Sequence, residues 1–438
     1  MKKETKVLAV LSATALMAMV SPLFGTGYAN TAYAQEKTGW VEESAGDWKY
    51  YDSDGYMLTD SWKKHGDDWY YLNEEGSVAI SEKVDEYYVD ETGKRVSNTW
   101  LSEDNEEDWS NGAPDTYWYY YGKNGKMVSS DWASIDGNWY YFDDEGHMMT
   151  GLNTIEDHTY YFGEDGARKS GWFYLEETDD SLDREFSWFY FDSKGKMLVD
   201  ELDKKIDGAY YTFVDGRMQT GWVLTDEAAK TEGSASGYQY YDENGKRASG
   251  WYQIEGITDI SEEGEIYSFY FKNGKPYFAE KGVQIFTVNS KKYAFNERGE
   301  MQTGLKVVTR DDETTGNYYF GEDGSMRTGK QTIYDEESGE NQVWYFHTDG
   351  SNKGMGYHGI RDNVLYVNGL RQEADADLRL APAEFNEKQY LINTNGVIQK
   401  ASSTSTSKSR PELGKGFKDF EDLNEKIWTV DTQGIIQE

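Results

Sequence analysis

Tryptophan residues recur in pairs along this chain, at a spacing that can build a ligand site. Three pairs have members seven or eight residues apart: Trp40 and Trp48, Trp62 and Trp69, and Trp132 and Trp139. A group of indole rings attracts a quaternary ammonium ion by cation–π interaction, worth about 0.5–2 kcal/mol per ring. A sugar ring can stack on the same aromatic face. The alternative is that these rings only pack neighbouring segments together.

The elements that must position these rings are β-hairpins. The fullest copy of the pattern is 132–151, in which a strand headed by Trp132 is followed by the aromatic strand 139–142 and an acidic turn closed by Gly146. Aromatic residues favour strands, and glycine supplies the positive φ that such turns require. In a short hairpin the two tryptophans can meet on one face. The next hairpin can then add a Tyr or Trp as a third wall.

Similar repeats of about 20 residues follow one another through most of the chain, which is the signature of a repeat array. A single hairpin is marginally stable in water, so each must pack on its neighbours. The sequence therefore predicts an all-β solenoid of stacked β-hairpin repeats. Methionine two residues after the turn glycine, as at Met127 and Met148, is predicted to fill gaps between repeats. Extra residues between the paired strands are predicted to be solvated acidic loops, at 102–116, 176–187, 225–237, 258–265 and 311–315.

Composition narrows the class of protein. Leu, Ile, Val and Phe make up about 17% of the chain and the net charge is −36, values typical of disordered proteins. The 36 Tyr and 15 Trp at regular spacing point instead to a folded array. The absence of Cys excludes disulfides and cysteine-bound zinc. The acidity favours a cationic ligand, and no nucleic-acid partner is expected.

Patterns of catalysis and metal binding are missing. The five His are scattered, without metal-ligand spacing, and no nucleophile elbow, phosphate loop or dinucleotide fingerprint occurs. The run Asp52-Ser53-Asp54-Gly55 matches part of a calcium loop, but the bidentate Glu at its end is absent. We therefore expect no enzymatic activity, no cofactor and no bound metal.

The two ends of the chain predict export and noncovalent retention. Three Lys, an apolar run over 7–24 and the small-x-small site Ala32-Tyr33-Ala34 predict a cleaved signal peptide, 1–34. No second apolar segment is long enough to span a membrane, and no sorting motif with an apolar and basic tail is found at the end. We expect a secreted protein attached noncovalently to the cell wall or cell surface.

Tryptophan content divides the remaining chain. Thirteen of the fifteen Trp occur at or before Trp251. We predict Trp-rich repeats over 35–251, Trp-poor degenerate repeats over 252–399, a Ser/Thr-rich linker or insertion over 400–416, and a degenerate capping repeat over 417–438.

The repeats resemble those of a known family. The pattern Gly-Trp-Val…Trp-x-Tyr-Tyr-Asp-x-Asp-Gly-x-Met at 39–57, and its fuller copy at 132–151, resembles the cell-wall-binding (choline-binding) repeats of Gram-positive surface proteins. Later repeats such as 304–329 look closer to the related glucan-binding and clostridial-toxin carbohydrate-binding repeats. The resemblance covers nearly all of 35–438. Family members often carry a separate catalytic domain, for which these repeats leave no room.

The resemblance also implies which residues complete each cage, because choline-binding repeats combine two hairpin tryptophans with an aromatic residue, and often a Met, of the next repeat. It implies Tyr70 or Tyr71 beside the first pair, Tyr87 or Tyr88 beside the second, and Tyr160 or Tyr161 beside the third, with Tyr71, Tyr88 and Tyr161 as the candidates. Two further pairs match in residue type but contain long insertions, which puts their cages in doubt: Trp100 and Trp118, and Trp172 and Trp188.

The leading hypothesis is a secreted, noncatalytic surface protein that binds cell-wall polymers, choline-bearing teichoic acid or glycan, through repeated aromatic cages. Many weak sites can retain such a protein firmly, because later contacts are intramolecular. Two alternatives stay open. One is a carbohydrate-binding adhesin for glucan or host glycans, favoured by the Trp-poor part. The other is a structural spacer without a ligand site.

Overall fold

The computed structural model describes residues 37–105, 114–177, 181–182 and 184–437, so the predicted signal peptide lies outside the described residues. The chain forms two compact units. The first is Met1–Asn153 with Phe162–Arg168, and the second is Thr154–Tyr161 with Lys169–Glu438. Regular structure in the described residues is nearly all β-strand, arranged in successive antiparallel hairpins. The prediction of an all-β solenoid of hairpin repeats is confirmed.

The described residues of the first unit form five complete hairpins. Their paired strands are Gly39–Ser44 with Asp47–Tyr51, Ser61–His65 with Asp68–Leu72, Glu82–Val84 with Tyr87–Val89, Thr99–Asp104 with Thr116–Tyr121, and Asp131–Ile135 with Asn138–Phe142. The division between the two units falls inside the next hairpin, formed by Gly151–Ile155 and His158–Phe162.

The second unit continues with hairpins that more often gain a short third strand. The two-stranded ones are Gly171–Glu176 with Phe186–Phe191, Gly221–Leu224 with Tyr238–Tyr241, Gly304–Thr309 with Thr315–Phe320, Leu380–Phe385 with Lys388–Asn393, and Lys418–Glu421 with Ile427–Val430. The three-stranded ones are Glu201–Ile206, Ala209–Val214 and Arg217–Met218; Gly250–Glu255, Ile266–Lys272 and Lys275–Pro276; and Val283–Val288, Lys291–Asn296 and Met301–Gln302. One five-stranded sheet has the order Gly329–Asp335, Glu340–Phe346, Leu370–Arg371, Val364–Val367 and Gly359–Arg361.

Acidic residues after the second strands fix the turns. In the first hairpin the Asp52 carboxylate accepts hydrogen bonds from the backbone N–H groups of Asp54 and Tyr56, each at 2.9 Å. Gly55 then adopts a φ of +83°, which a residue with a Cβ adopts only at a cost. The Asp-x-x-Gly turns are therefore self-capped structures, and their carboxylates have a structural role.

Methionine joins consecutive repeats. Met148 forms a bridge with Phe142 of its own hairpin, while its N–H donates to the carbonyl oxygen of Trp118 in the preceding hairpin. A Cβ placed on Gly166, in the following turn, would lie 2.1 Å from Met148 Sδ. The methionine thus fills the space that the glycine leaves, as predicted.

The last residue of the second strand is a core residue in many hairpins. Examples that are 0% exposed are Leu72, Val89, Phe142, Phe162 and Phe191. Burial of one apolar side chain in each of these repeats compensates for the low overall apolar content.

Residues 225–237, predicted to be a solvated loop, contain a helix instead. The α-helix Glu227–Glu232 begins after Asp226, whose carboxylate accepts from the N–H of Ala228, and ends at Gly233 in the left-handed region. It is followed by the 3-10 helix Ala235–Gly237. The loop prediction is wrong here because Ala229 is buried, so the segment packs on the array. None of the helices in the described part of the chain has the length and apolarity to cross a membrane.

The middle of the Ser/Thr-rich segment over 400–416 is bound by one carboxylate. Asp419 accepts hydrogen bonds from the N–H groups of Lys408 and Ser409, at 2.7 and 2.8 Å, and from the hydroxyls of Ser407 and Thr429. A further 3-10 helix, Pro411–Leu413, follows. These bonds tie the segment to the last hairpin.

Candidate functional site

Strand register brings both tryptophans of a pair to one face of their hairpin. Trp40 is paired with Tyr50 across the first hairpin, and Trp48 with Glu42. Side chains two positions apart on a strand point to the same face, so both rings flank one surface. The other predicted pairs have the same offset: Trp62 and Trp69, and Trp132 and Trp139.

The residue two positions after the turn glycine of the next hairpin closes this surface. Its backbone N–H donates a hydrogen bond to the carbonyl oxygen of the second tryptophan. Val78 donates to Trp48 at 3.1 Å. The same bond is 2.8 Å long from Arg95 to Trp69, from Met148 to Trp118 and from Arg168 to Trp139. Because this bond is the same in all four, the four residues occupy one equivalent place. We call it the closing position.

The first cage consists of Trp40, Trp48, Tyr70 and, at the closing position, Val78. The Trp40 and Tyr70 ring centroids are 5.6 Å apart in an edge-on arrangement. With His65, these residues line an open cavity of about 480 Å³. Burial raises the pKa of the Tyr70 hydroxyl, which favours its neutral form. The cage therefore presents aromatic and apolar walls around an accessible space.

Carboxylates give the first cage a negative rim. Glu42 and Glu91 are both exposed and line the same cavity. The adjacent Glu43 is engaged elsewhere, because it accepts hydrogen bonds from Lys37 and Tyr51. These bonds, the one from Lys37 more strongly, lower the pKa of Glu43 to about 2. A cation in this cavity would meet rings on its sides and negative charge at its edge.

The second cage has the same aromatic plan but a charged closing residue. Trp62 and Tyr87 have ring centroids 5.2 Å apart. The guanidinium carbon of Arg95 lies 5.8 Å from the Trp62 ring, 5.5 Å from that of Trp69 and 5.1 Å from that of Tyr87. Lys64, rather than a carboxylate, is paired with Trp69 across the hairpin. A cation of the protein itself already contacts all three rings.

A third cage forms around one of the two pairs that the sequence left in doubt. The strands carrying Trp100 and Trp118 remain paired in full register, so the insertion between them does not separate the rings. The Trp100 and Tyr140 centroids are 5.0 Å apart, and Met148 occupies the closing position. Trp118 is 37% exposed. This cage resembles the first in having an uncharged closing residue.

The fourth cage, like the second, holds an arginine. The guanidinium carbon of Arg168 lies 5.5 Å from the Trp132 ring and 5.8 Å from the Trp139 ring. Both tryptophans of this most complete sequence repeat are therefore in contact with a cation of the chain.

The second unit contains a fifth cage, again across an insertion. The Trp172 centroid lies 6.3 Å from that of Trp188 and 4.8 Å from that of Tyr211. Met218, two residues after Gly216, is buried in the cluster that Trp172 packs against. The sequence signal that identifies this cage and the third is the residue type at both tryptophan positions, whatever the length between them.

In the first two cages the third aromatic residue is the other tyrosine that the resemblance allowed, and not the candidate Tyr71 or Tyr88. Tyr70 and Tyr87 contact the first and second tryptophan pairs, because they point to the opposite face of their strands from Tyr71 and Tyr88. The candidates pack on other rings, with centroid distances of 5.3 Å for Tyr71 and Trp62, 6.1 Å for Tyr88 and Tyr121, and 5.0 Å for Tyr161 and Phe173.

One group of possible metal ligands occurs among the described residues. Oxygen and nitrogen atoms of Asp143, Glu145 and His147 lie within 4.8 Å of one another. The Asp143 carboxylate accepts from the N–H of His147 at 2.7 Å, as in the other turns, and the His147 ring stacks on Tyr117. Turn capping and ring stacking account for this group, and the absence of a metal stays a prediction.

Two family models match parts of the chain. The model for the choline-binding repeat matches residues 129–170. A model for the cell wall binding repeat matches 38–57, 60–78 and 187–197. These segments contain all three tryptophan pairs predicted from the sequence, and Trp188 of the fifth cage.

Similar proteins include a glucosyltransferase, an autolysin and a choline binding protein. The glucosyltransferase-S of Streptococcus mutans is 26% identical over 313 residues, which cover 67% of this chain and 19% of that protein. The modular autolysin LytC and choline binding protein F of Streptococcus pneumoniae are each 19% identical over 66% of this chain, covering 52% and 98% of their chains, with TM-scores of 0.40 and 0.38. The chain thus spans about a fifth of the glucosyltransferase and half of the autolysin.

Proposed function

We propose that this chain, a cell-wall-binding repeat protein of the choline-binding type, attaches noncovalently to cell-wall polymers through its open aromatic cages and contributes binding rather than catalysis. The observation that carries the proposal is the first cage, where Trp40, Trp48 and Tyr70 surround an open cavity of about 480 Å³. A concave, largely aromatic site with a few placed polar groups is typical of ligand binding.

The chemistry of the first cage favours a quaternary ammonium group, such as the choline of a wall polymer. Aromatic faces attract a cation without hydrogen bonds, and a quaternary ammonium has none to donate. Glu42 and Glu91 add attraction at the rim. A net charge of −36 raises the local concentration of any cation around the protein.

Three cages with uncharged closing residues support attachment to a polymer that repeats its ligand. These are the first and third, closed by Val78 and Met148, and the fifth, where Met218 lies two residues after Gly216 in the cluster that Trp172 packs against. Millimolar sites on one chain retain a polymer much more firmly together than singly, because the second contact is intramolecular. A secreted protein with such sites is retained at the wall without a covalent anchor.

A second candidate function is glycan binding, favoured by exposed rings beside the fifth cage. Tyr174 stacks on Phe186 at 5.3 Å with an interplanar angle of 24°, and lies 5.1 Å from Trp188. These rings are 55%, 40% and 42% exposed respectively. Flat exposed aromatic surface suits a sugar ring, and the similarity to a glucosyltransferase agrees with this candidate.

Choline titration of the full chain, followed by calorimetry and tryptophan fluorescence, tests the proposal. We expect Trp118→Ala and Trp188→Ala each to weaken or remove one choline site, roughly 2- to 30-fold in affinity for about 0.5–2 kcal/mol per ring. Trp251→Ala is the matched control. Trp251 is 39% exposed and packs on Tyr293, but its hairpin has Ser268 where a second tryptophan would stand.

The outcomes separate the candidates. Choline binding that Trp251→Ala leaves intact and the other two variants reduce supports the wall-polymer proposal. Binding of glucan without choline, lost in Trp188→Ala, favours the second candidate. Variants that lower stability while no ligand binds to the parent chain indicate a structural spacer.

A further inference from the structure

Two of the cages already contain a cation. Arg95 extends over three rings of the second cage at 5.1–5.8 Å, and Arg168 over two rings of the fourth cage at 5.5 and 5.8 Å. These distances lie within the ≈ 6 Å range of cation–π attraction. The rings contacted are the tryptophan pairs and, in the second cage, Tyr87.

Neither guanidinium has another partner in the described part of the chain. Among the residues that the structure describes, no carboxylate lies within ion-pair distance of Arg95 or Arg168, and no hydrogen bond joins their side chains to the protein. This is unexpected in a chain with 80 Asp and Glu. Other arginines do find carboxylates, as Arg217 does with Glu177 at 2.8 Å and Arg247 with Asp203 at 2.9 Å.

We propose that Arg95 and Arg168 are built-in occupants of the second and fourth cages, which therefore take no external cation until the arginine is removed. The residue at the closing position selects which cages are open. This inference rests on the proposed function in one respect only, the class of ligand that the open cages receive.

A tethered cation has an advantage over a free one. Its effective concentration at the rings is on the order of millimolar or above, and it binds without losing translational freedom. A free quaternary ammonium entering the second cage would have to displace a guanidinium from the same three rings and would meet its positive charge. At the same position Val78 and Met148 add apolar surface and no charge.

An arginine two residues after the turn glycine does not make an occupied cage unless a tryptophan pair is also present. Arg247 is also two residues after a turn glycine, and its guanidinium carbon lies 4.0 Å from the Tyr210 ring. The hairpin that Arg247 faces, which contains Tyr210, has no tryptophan pair. Asp203 neutralises the charge of Arg247. Arg247 is therefore an internal control for arginine in the same place without a cage.

The test counts bound cations on the full chain by calorimetry with choline and with tetramethylammonium, at constant ionic strength. Arg95→Met and Arg168→Met copy the closing residue of the third cage. We expect each to add one bound cation per chain and the double variant to add two. Arg247→Met should add none, and Met148→Arg should remove one.

The results distinguish this inference from the proposed function. If the parent chain binds cations and neither arginine variant gains a site, the built-in occupants are overturned while the proposed function stands. If the parent binds none and the variants gain sites, the occupants are supported and the proposed function fails. No binding by any of them overturns both.

A second measurement guards against misfolded variants. In the parent chain labelled with ¹⁵N-arginine, ring currents should shift the Hε resonances of Arg95 and Arg168 upfield, and saturating choline should leave them unmoved. Resonances at ordinary positions, or ones that choline moves, overturn the proposal without any arginine variant.

Discussion

The first and second cages are neighbours in the first unit and share the same three aromatic positions, yet one is open and the other is filled. They differ at the closing position, Val78 against Arg95, and opposite the second tryptophan, Glu42 against Lys64. The backbone bond that positions the closing residue is the same, at 3.1 and 2.8 Å. The scaffold therefore fixes where the rings lie, and two side chains outside the tryptophan pair decide what the rings contact.

A repeat can change what its rings contact without changing its fold. The closing residue packs against the turn glycine of the following repeat, so either an apolar or a long charged side chain fits beside it. Long side chains can lay their methylene groups on apolar surface and direct the charge elsewhere. In Arg95 the charge is directed back onto the rings.

The largest expected effect comes from Gly93→Ala, which would displace Val78 from the closing position of the first cage. A Cβ on Gly93 would lie 2.4 Å from Val78 Cγ1 and 3.0 Å from the carbonyl oxygen of Ala79, and φ is +78°. Left-handed strain and overpacking together should cost about 2–4 kcal/mol in the free energy of unfolding. Urea denaturation gives the stability, and choline titration should show one site fewer.

Gly151→Ala is the control for left-handed backbone strain without overpacking. Gly151 has a φ of +73°, and no atom lies within 4 Å of an added Cβ. It should cost about 1 kcal/mol and leave the number of choline sites unchanged. Equal losses in the two variants would show that Val78 can move aside, and the first cage would then not depend on this contact.

An intermediate effect should distinguish an arginine bound to a carboxylate from one bound to rings. Arg217 hydrogen-bonds Glu177, whose side chain is 4% exposed, and this bond lowers the pKa of Glu177 below its ordinary value of 4.5. The pair therefore stabilises the fold fully above about pH 4.5, and this contribution is lost as the pH falls through the folded-state pKa. Glu177→Gln should cost about 1–3 kcal/mol at pH 7.

Urea denaturation of the parent and Glu177→Gln across pH 7 to 3 checks this sign. The difference in unfolding free energy between the two should shrink below about pH 4.5. For Arg95→Met the difference from the parent should be the same over this range, because the contacts of Arg95 with the rings involve no carboxylate. A cost of Arg95→Met that falls with pH would reveal a carboxylate partner and contradict the cation–π contact.

The smallest expected effect concerns charge at the rim of the first cage. Glu42→Gln and Glu91→Gln should each weaken choline binding at that cage by about 0.5–1 kcal/mol, roughly 2- to 5-fold, because the carboxylates are exposed and screened. The loss should disappear at high salt. Asp67→Asn, beside Lys64 of the second cage, is the control and should have no effect. An unchanged affinity at low salt would mean that the rings alone bind the ligand.

Much of the fold could be read from residue types, because hairpins are local. Asp52 and Gly55 lie within four residues of each other, and their turn depends on contacts inside that span. The helix at Glu227–Glu232 was missed because its stability comes from burying Ala229, a contact with the rest of the array. The insertion between Trp100 and Trp118 put the third cage in doubt, but the flanking strands pair in full register. Their pairing depends only weakly on the length of the chain between them.

The sequence by itself determined the hairpin repeats, their turns and the face shared by each tryptophan pair, because strand alternation and turn chemistry act between near neighbours. Only the tertiary structure decided that Tyr70 and not Tyr71 joins Trp40, and that Arg95 lies over Trp62 and Trp69. Those contacts join different hairpins, more than twenty residues apart along the chain. They depend on how one hairpin is set against the next, which is a property of packing.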